Sequence, residues 1–361
     1  MLECFKVPVE DQVRVPVESL RETVTAVFGK MGVSPEDAAE GANTLVMTDV
    51  RGVETHGVSN MLRSYVDGYR TGKLNPKREW RIVKETQGSA VIDAERTLAI
   101  VYGPSYMRIA IEKARQVGTG LVTLYNSGHT GAIGHHAMLA ADEDMIGICT
   151  TATGVSTPPT FGAEPKMGTN PFAFAAPAGE EAPLLFDAAT TVIAGNKMGL
   201  ASRVGANLLP GWIAETDGSP IMEETPVRER GTYYMLPFGT SREQGSHKGY
   251  AFSLMTEVFG MLSGSLPSML DSGGAAGDTF AAIDISAFTD VGVFKENMDK
   301  MLRSLRETKP APGHDRVLYP GLSEHEEELD RRANGIPLHK EVIEWFSQIT
   351  DELSIPPLRN L

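Results

Sequence analysis

The chain has 361 residues, 41% hydrophobic and 22% charged, with a net charge of −14, so it exceeds the length at which one core usually stops growing and is expected to form two lobes. The acidic balance and the lack of any Lys/Arg block argue against nucleic acid or anionic lipid as partner and leave small molecules and further copies of the chain. No run approaches the ~20 apolar residues of a membrane span, the N-terminus lacks a secretory signal pattern, and Cys4 and Cys149 cannot form a disulfide framework, so a reduced, cytoplasmic protein is expected.

Residues 19–22 (SLRE) read as a capping box opening a helix through Val24, Val27, Phe28 and Met31, stopped at Gly32. Ser34, followed by Pro35 and Asp37, starts a second helix running toward Val50. Gly52 and Gly57 bracket a break, after which Met61, Leu62, Tyr65, Val66 and Tyr69 recur at helical spacing up to Gly72. His56 therefore stands at the mouth of a third helix. From Trp80 the texture turns to short strands, RIVKE and SAVID, then a helical segment from Pro104 to Gln116, then GLVTLYN and IGICTTAT. The strands PFAFAAP and LLFDAATT follow. Residues 248–264 read as an amphipathic helix, 271–278 as a mobile loop and 324–332 as a solvated acidic helix. The sum is a mixed α/β protein.

No G-x-G-x-x-G stands between a strand and a helix, and no phosphate-binding G-x-x-x-x-G-K-[ST] occurs. No G-x-S-x-G elbow points to a serine hydrolase. The segment 126–136 (NSGHTGAIGHH) brings His129, His135 and His136 close in sequence, yet without a standard metal-ligand spacing. His135 and His136, at the start of a helix, read as surface or capping residues. His129 lies between glycines at a strand-to-helix turn and reads either as functional or as a turn residue satisfying backbone groups. His56 suits proton transfer: Thr55 can fix its tautomer, and Gly57 leaves one side open to a substrate. Arg63, seven residues on, is expected on the same face, where its guanidinium could grip a carboxylate.

Several ordered motifs carry a resemblance. Residues 49–58 (DVRGVETHGV) with GKLNP at 72–76, NSGHTG at 126–131, GTNPFAF at 168–174, DAAT at 187–190, LPFG at 236–239, KGY at 248–250, YPG at 319–321 and GIPL at 335–338 resemble the malate/L-lactate dehydrogenase type 2 family over nearly the whole chain. The resemblance implies a non-Rossmann α/β fold. Its large mixed, mostly antiparallel sheet would hold a nicotinamide in residues 81–309, with a helical subregion near 248–309. Residues 1–80 and 310–361 would form a helical domain carrying the His56 motif. It also implies a homodimer with the active site near the subunit boundary, and hydride transfer between NAD or NADP, with NAD favoured, and C2 of a 2-hydroxy or 2-oxo acid.

By the family pattern His56 is the proton donor or acceptor, Thr55 replaces a relaying serine, and His129 matches a second acid/base. Asp187, Ala188, Ala189, Gly239, Thr240, Lys248, Gly249, Pro320 and Gly321 match cofactor-contacting positions, and Thr153 a substrate-binding one; no metal is implied. Asn60 departs from the family's arginine four residues after the motif histidine, so Arg63 is expected to take over the carboxylate, or the substrate differs. Residues 240–246 (TSREQGS) look like an insertion before the lysine motif. Three other readings stand beside this one: a cyclic imino acid reductase of the same family, a metal-dependent hydrolase using His129, His135 and His136, and a catalytically idle metabolite-binding relative.

Overall fold

The computed structural model describes residues 3–271 and 277–361. Most of the expected 271–278 loop, residues 272–276, lies outside the described residues. The chain runs through Gln12–Val15 (β1), Val17–Lys30 (α1), Pro35–Val50 (α2), Val58–Arg70 (α3), Arg81–Glu85 (β2), Ser89–Asp93 (β3), Ala99–Val117 (α4) and Thr119–Tyr125 (β4). It continues with Ile133–Ala141 (α5), Met145–Thr151 (β5), Phe172–Ala176 (β6), Leu184–Ala188 (β7), Lys197–Val204 (α6), Ile213–Ala214 (β8), Tyr234–Met235 (β9) and Ser246–Met261 (α7). It closes with Asp278–Asp284 (β10), Val291–Arg306 (α8), Leu322–Asn334 (α9), Ile336–His339 (β11) and Lys340–Leu353 (α10).

Local chemistry explains the second helix. Ser34 Oγ accepts the Asp37 N–H at 3.2 Å, and Pro35 takes a first-turn position whose missing N–H costs nothing. The capping box proposed for α1 is displaced: the helix starts at Val17, and Ser19 Oγ instead donates to the Arg359 carbonyl and accepts its N–H, both at 3.0 Å. The returning chain end thus takes the hydroxyl that a cap would have used. Segment 104–116 likewise starts earlier, at Ala99, with Pro104 inside the helix.

The main sheet has the order β2-β3-β4-β10-β5-β6-β7. Every neighbouring pair is antiparallel except β3 with β4, which α4 joins by a crossover. Helices α4 and α5 approach the sheet at backbone contact: a Cβ on Gly120 would lie 1.9 Å from the Ala110 carbonyl oxygen, and one on Gly147 2.0 Å from that of Ala137. Only glycine fits at either point. Strand β1 pairs with β11, which brings the two ends of the chain together. The main core runs from Phe28, Leu45 and Leu62 on the first helices through Tyr106, Val122 and Phe280 at the sheet to Phe346 on α10, and smaller separate clusters form around Ile193, Leu208 and Trp212 and around Met298, Leu302 and Tyr319.

Helix α7 corrects the amphipathic expectation in an informative way. Ser253, Thr256, Glu257 and Gly260 face the protein and are buried, whereas Phe252, Met255, Val258 and Met261 are exposed. Its polarity is inverted relative to a helix lying on a core. No helix among the described residues is long and apolar enough to cross a membrane.

Candidate active site

His56 sits on the loop between α2 and α3, and the loop is held from beneath. Asp49, near the end of α2 and fully buried, accepts the Val58 N–H through Oδ2 at 2.7 Å. A Cβ on Gly57 would fall 2.1 Å from Asp49 Oδ1, so the glycine read as an opening toward substrate is required by the carboxyl behind it. Burial, with the Glu54 carboxylate adding to it, pushes the Asp49 pKa up to about 8. From α9, Arg331 donates to the Asp49 carbonyl and to Glu54 Oε1, both at 2.7 Å. Above this base Thr55 Oγ1 lies 2.9 Å from His56 Nδ1, which leaves Nε2 as the nitrogen for a substrate. Burial, with His129 nearby, holds the His56 pKa well below the ordinary imidazole value, so the ring is neutral at neutral pH.

His129 arrives from the turn after β4. That turn is pinned by Asp278 at the start of β10, whose two carboxyl oxygens accept Ser127 Oγ at 2.6 Å and Thr130 Oγ1 at 3.0 Å. Burial raises the Asp278 pKa to about 6. Two backbone bonds tie the turn to the start of α4, Gly128 N–H to the Thr97 carbonyl and Ile100 N–H to that of His129. The His56 and His129 rings then lie parallel, 5.9 Å between centroids and 12° between planes. Tyr65 on α3 places its hydroxyl 2.6 Å from His129 Nδ1, and burial keeps that phenol protonated. The His129 ring is exposed; the protein around it lowers its pKa, and solvent reaching the ring moderates that shift.

His136 is fully buried, contrary to the surface or capping role expected of it: its Nε2 lies 3.0 Å from the Thr130 carbonyl oxygen and its ring meets Phe280 edge-on. His135 is half-buried. Among the described residues no three His, Cys, Asp or Glu side chains come together as metal ligands.

A cavity of about 580 Å³ joins residues far apart in the chain: Thr55 and His56, Asp187 to Ala189 at the end of β7, and Pro320 and Gly321 at the start of α9. Gly321 precedes α9 at φ +97°, a conformation costly for other residues. Asp187 Oδ2 accepts the Gly134 N–H at 2.7 Å. Surrounding protein and the nearby Glu324 raise its pKa, tempered by its exposure to the cavity.

The other expected positions lie elsewhere. Thr240 borders a second, smaller cavity of about 190 Å³ together with Ser241 and Ser246. Gly239 and Gly249 pack backbone against backbone beside the start of α7, and Lys248 is exposed there. Thr153 is tied to Asn170, whose Oδ1 accepts the Thr153 N–H at 2.8 Å. Asn60 donates to the carbonyls of Thr55, at 3.3 Å, and Asn196, at 3.0 Å. Arg63 does not reach the cavity: it lies over the Trp345 ring, 5.5 Å from the centroid, and 4.0 Å from Glu341. His56 precedes the helix instead of riding on it, so a seven-residue spacing carries no shared face. Tyr65, Asp278 and Arg331 escaped the sequence reading, because nothing local distinguishes them from core or surface residues of their elements.

A profile of the malate/L-lactate dehydrogenase family matches residues 15–347. A malate dehydrogenase of Pyrococcus horikoshii is 35% identical, covering 97% of this chain and 98% of the relative. An L-sulfolactate dehydrogenase of Methanocaldococcus jannaschii is 32% identical, covering 94% and 96%. Among solved structures, a malate dehydrogenase from Entamoeba histolytica superposes with a TM-score of 0.91 at 33% identity, covering 96% of this chain and 99% of that one.

Proposed function

Because the chain belongs to the malate/L-lactate dehydrogenase family, and is thus an oxidoreductase acting on CH–OH groups of a small molecule with a nicotinamide cofactor, we propose that it transfers a hydride to or from C2 of a 2-hydroxy or 2-oxo acid. The observation that carries this reading is His56, oriented by Thr55, on the wall of a cavity shared with Asp187 and with Pro320 and Gly321. The cavity suits the cofactor's ring: its volume lies in the range of about 300–1,000 Å³ usual for small-molecule sites, and Phe186, Val192 and Ile193 give it apolar walls. Asp187 and Glu324 make one wall of this cavity acidic, and NAD is the cofactor proposed.

The bound nicotinamide supplies or accepts the hydride. His56 Nε2 holds the proton at the C2 oxygen. Its depressed pKa keeps the ring neutral, ready to take the hydroxyl proton during oxidation, and the negative charge of an arriving substrate makes the imidazolium easier to form for the reverse step. Tyr65 positions His129 beside it. Tyr65→Phe is expected to lower kcat roughly 3- to 10-fold, the worth of one hydrogen bond, and to move the pH profile. An unchanged rate and profile would leave His129 a bystander.

The inverted polarity of α7 supports a homodimer, since a second copy would cover Phe252, Met255, Val258 and Met261. The β1–β11 pairing supports grouping residues 1–80 with 310–361 as one domain against 81–309. The test of the function is oxidation of NADH and NADPH against 2-oxo acids and cyclic imines, with the reverse assay on 2-hydroxy acids. Turnover of an acid with NAD is the expected result. Turnover of imines alone would reassign the substrate, and nicotinamide binding without any turnover would leave a catalytically idle relative.

A further inference from the structure

We propose that Lys197 is the cation that receives the acid group of the substrate, an inference that rests on the hydride-transfer reading above. A 2-hydroxy acid carries a carboxylate into the cavity beside His56, and enclosing that charge without a cationic partner is unfavourable. Among the described residues, the Lys and Arg side chains lining this cavity are Arg51 and Lys197. Arg51 is already engaged, donating to Glu328 at 2.8 Å. Lys197 has no carboxylate in ion-pair range among the described residues. Its Nζ lies instead over the stacked rings of Phe5 and Trp212, 5.3 and 5.4 Å from their centroids.

Its place in the fold favours the same role. Lys197 opens α6, and the residue before it is strapped to the catalytic loop: Asn60 bridges the carbonyls of Thr55 and Asn196, while Arg203 donates to Asn60 Oδ1 at 2.9 Å. Asn60 therefore acts on the substrate at one remove, by setting the spacing between the His56 loop and the start of α6. Burial already disfavours the Lys197 ammonium, a cost that an arriving carboxylate reverses. Attraction to the two rings is weaker than a charge-assisted hydrogen bond, so an arriving carboxylate can draw the ammonium from the rings.

The test compares wild type, Lys197→Met, which keeps the stem, and Lys197→Arg, which keeps the charge. Each is assayed on a 2-hydroxy acid that wild type oxidises and on its neutral primary amide, and NADH affinity is measured by fluorescence titration. Lys197→Met should raise KM for the acid roughly tenfold or more, while the amide's kcat/KM and the NADH Kd stay within about twofold. Lys197→Arg should recover most of the loss. An unchanged KM for the acid in Lys197→Met overturns the inference, and so does an equal loss of NADH affinity, which would assign the ammonium to the cofactor. Should wild type oxidise no 2-hydroxy acid, the hydride-transfer reading fails by itself. Oxamate binding by calorimetry then decides on Lys197: equal affinity in wild type and Lys197→Met overturns it, and a loss on removing the ammonium supports it.

Discussion

Replacing His56 with alanine should lower kcat by roughly 100- to 10,000-fold, the usual contribution of a positioned acid or base. The Thr55 contact fixes the ring through Nδ1 at 2.9 Å, and the buried Asp49 carboxyl fixes the loop through the Val58 N–H, so the imidazole is delivered at one orientation. Binding of the nicotinamide should survive, because the side chain is asked to move a proton and not to hold the cofactor. His129→Ala is the necessary companion, since the two rings lie parallel 5.9 Å apart and either could serve one substrate oxygen. A large loss in His56→Ala with a modest one in His129→Ala assigns the proton to His56. The opposite order transfers the role to His129 and makes Tyr65 its orienting partner. Restoration of turnover by added imidazole would separate lost chemistry from a collapsed loop.

Arg331→Met should destabilise the protein by about 3–5 kcal/mol, the range for removing one member of a buried ion pair. The Arg331 and Glu54 side chains are only 4% and 5% exposed, so the carboxylate left behind has no water to replace its partner. The variant also loses the donor to the Asp49 carbonyl at 2.7 Å, which loosens the base of the His56 loop. Urea denaturation measures the stability, and kcat should fall along with it even where the variant is still folded. Adding Glu54→Met to Arg331→Met should recover part of the loss, because it removes the buried stranded carboxylate, while Glu327, which accepts from Arg331 Nε at 3.0 Å and is 31% exposed, and the Asp49 carbonyl still lose their partner. A single-variant loss below about 1 kcal/mol would mean that water reaches Glu54, as at an exposed pair.

The helices that build the His56 loop were legible because their signals are local. Ser34 with Pro35 marked the start of α2, and the apolar spacing of Leu62, Tyr65, Val66 and Tyr69 marked α3. The strands from RIVKE to LLFDAATT were legible for the same reason, although their order was not. Arg63 illustrates the limit. Its helical phase was read correctly, but the residue it was measured against lies outside the helix, and Trp345 and Glu341 of the distant α10 took the guanidinium instead.

By itself, the sequence determined helices α1 to α4 and strands β2 to β7, though not the central strand β10 or helices α8 and α10, that His56 stands in a glycine-bracketed loop, and, through motifs spread along the whole chain, the family. Only the tertiary structure decided that Tyr65 meets His129 across 64 positions and that Arg331 meets Glu54 across 277. It alone set β10 between β4 and β5, where Asp278 reaches the His129 turn, and it alone turned the apolar side of α7 outward. The physical reason is that caps and periodicity are written within a few neighbouring residues. The pairing of distant elements depends on register and burial, which no short stretch of chain encodes.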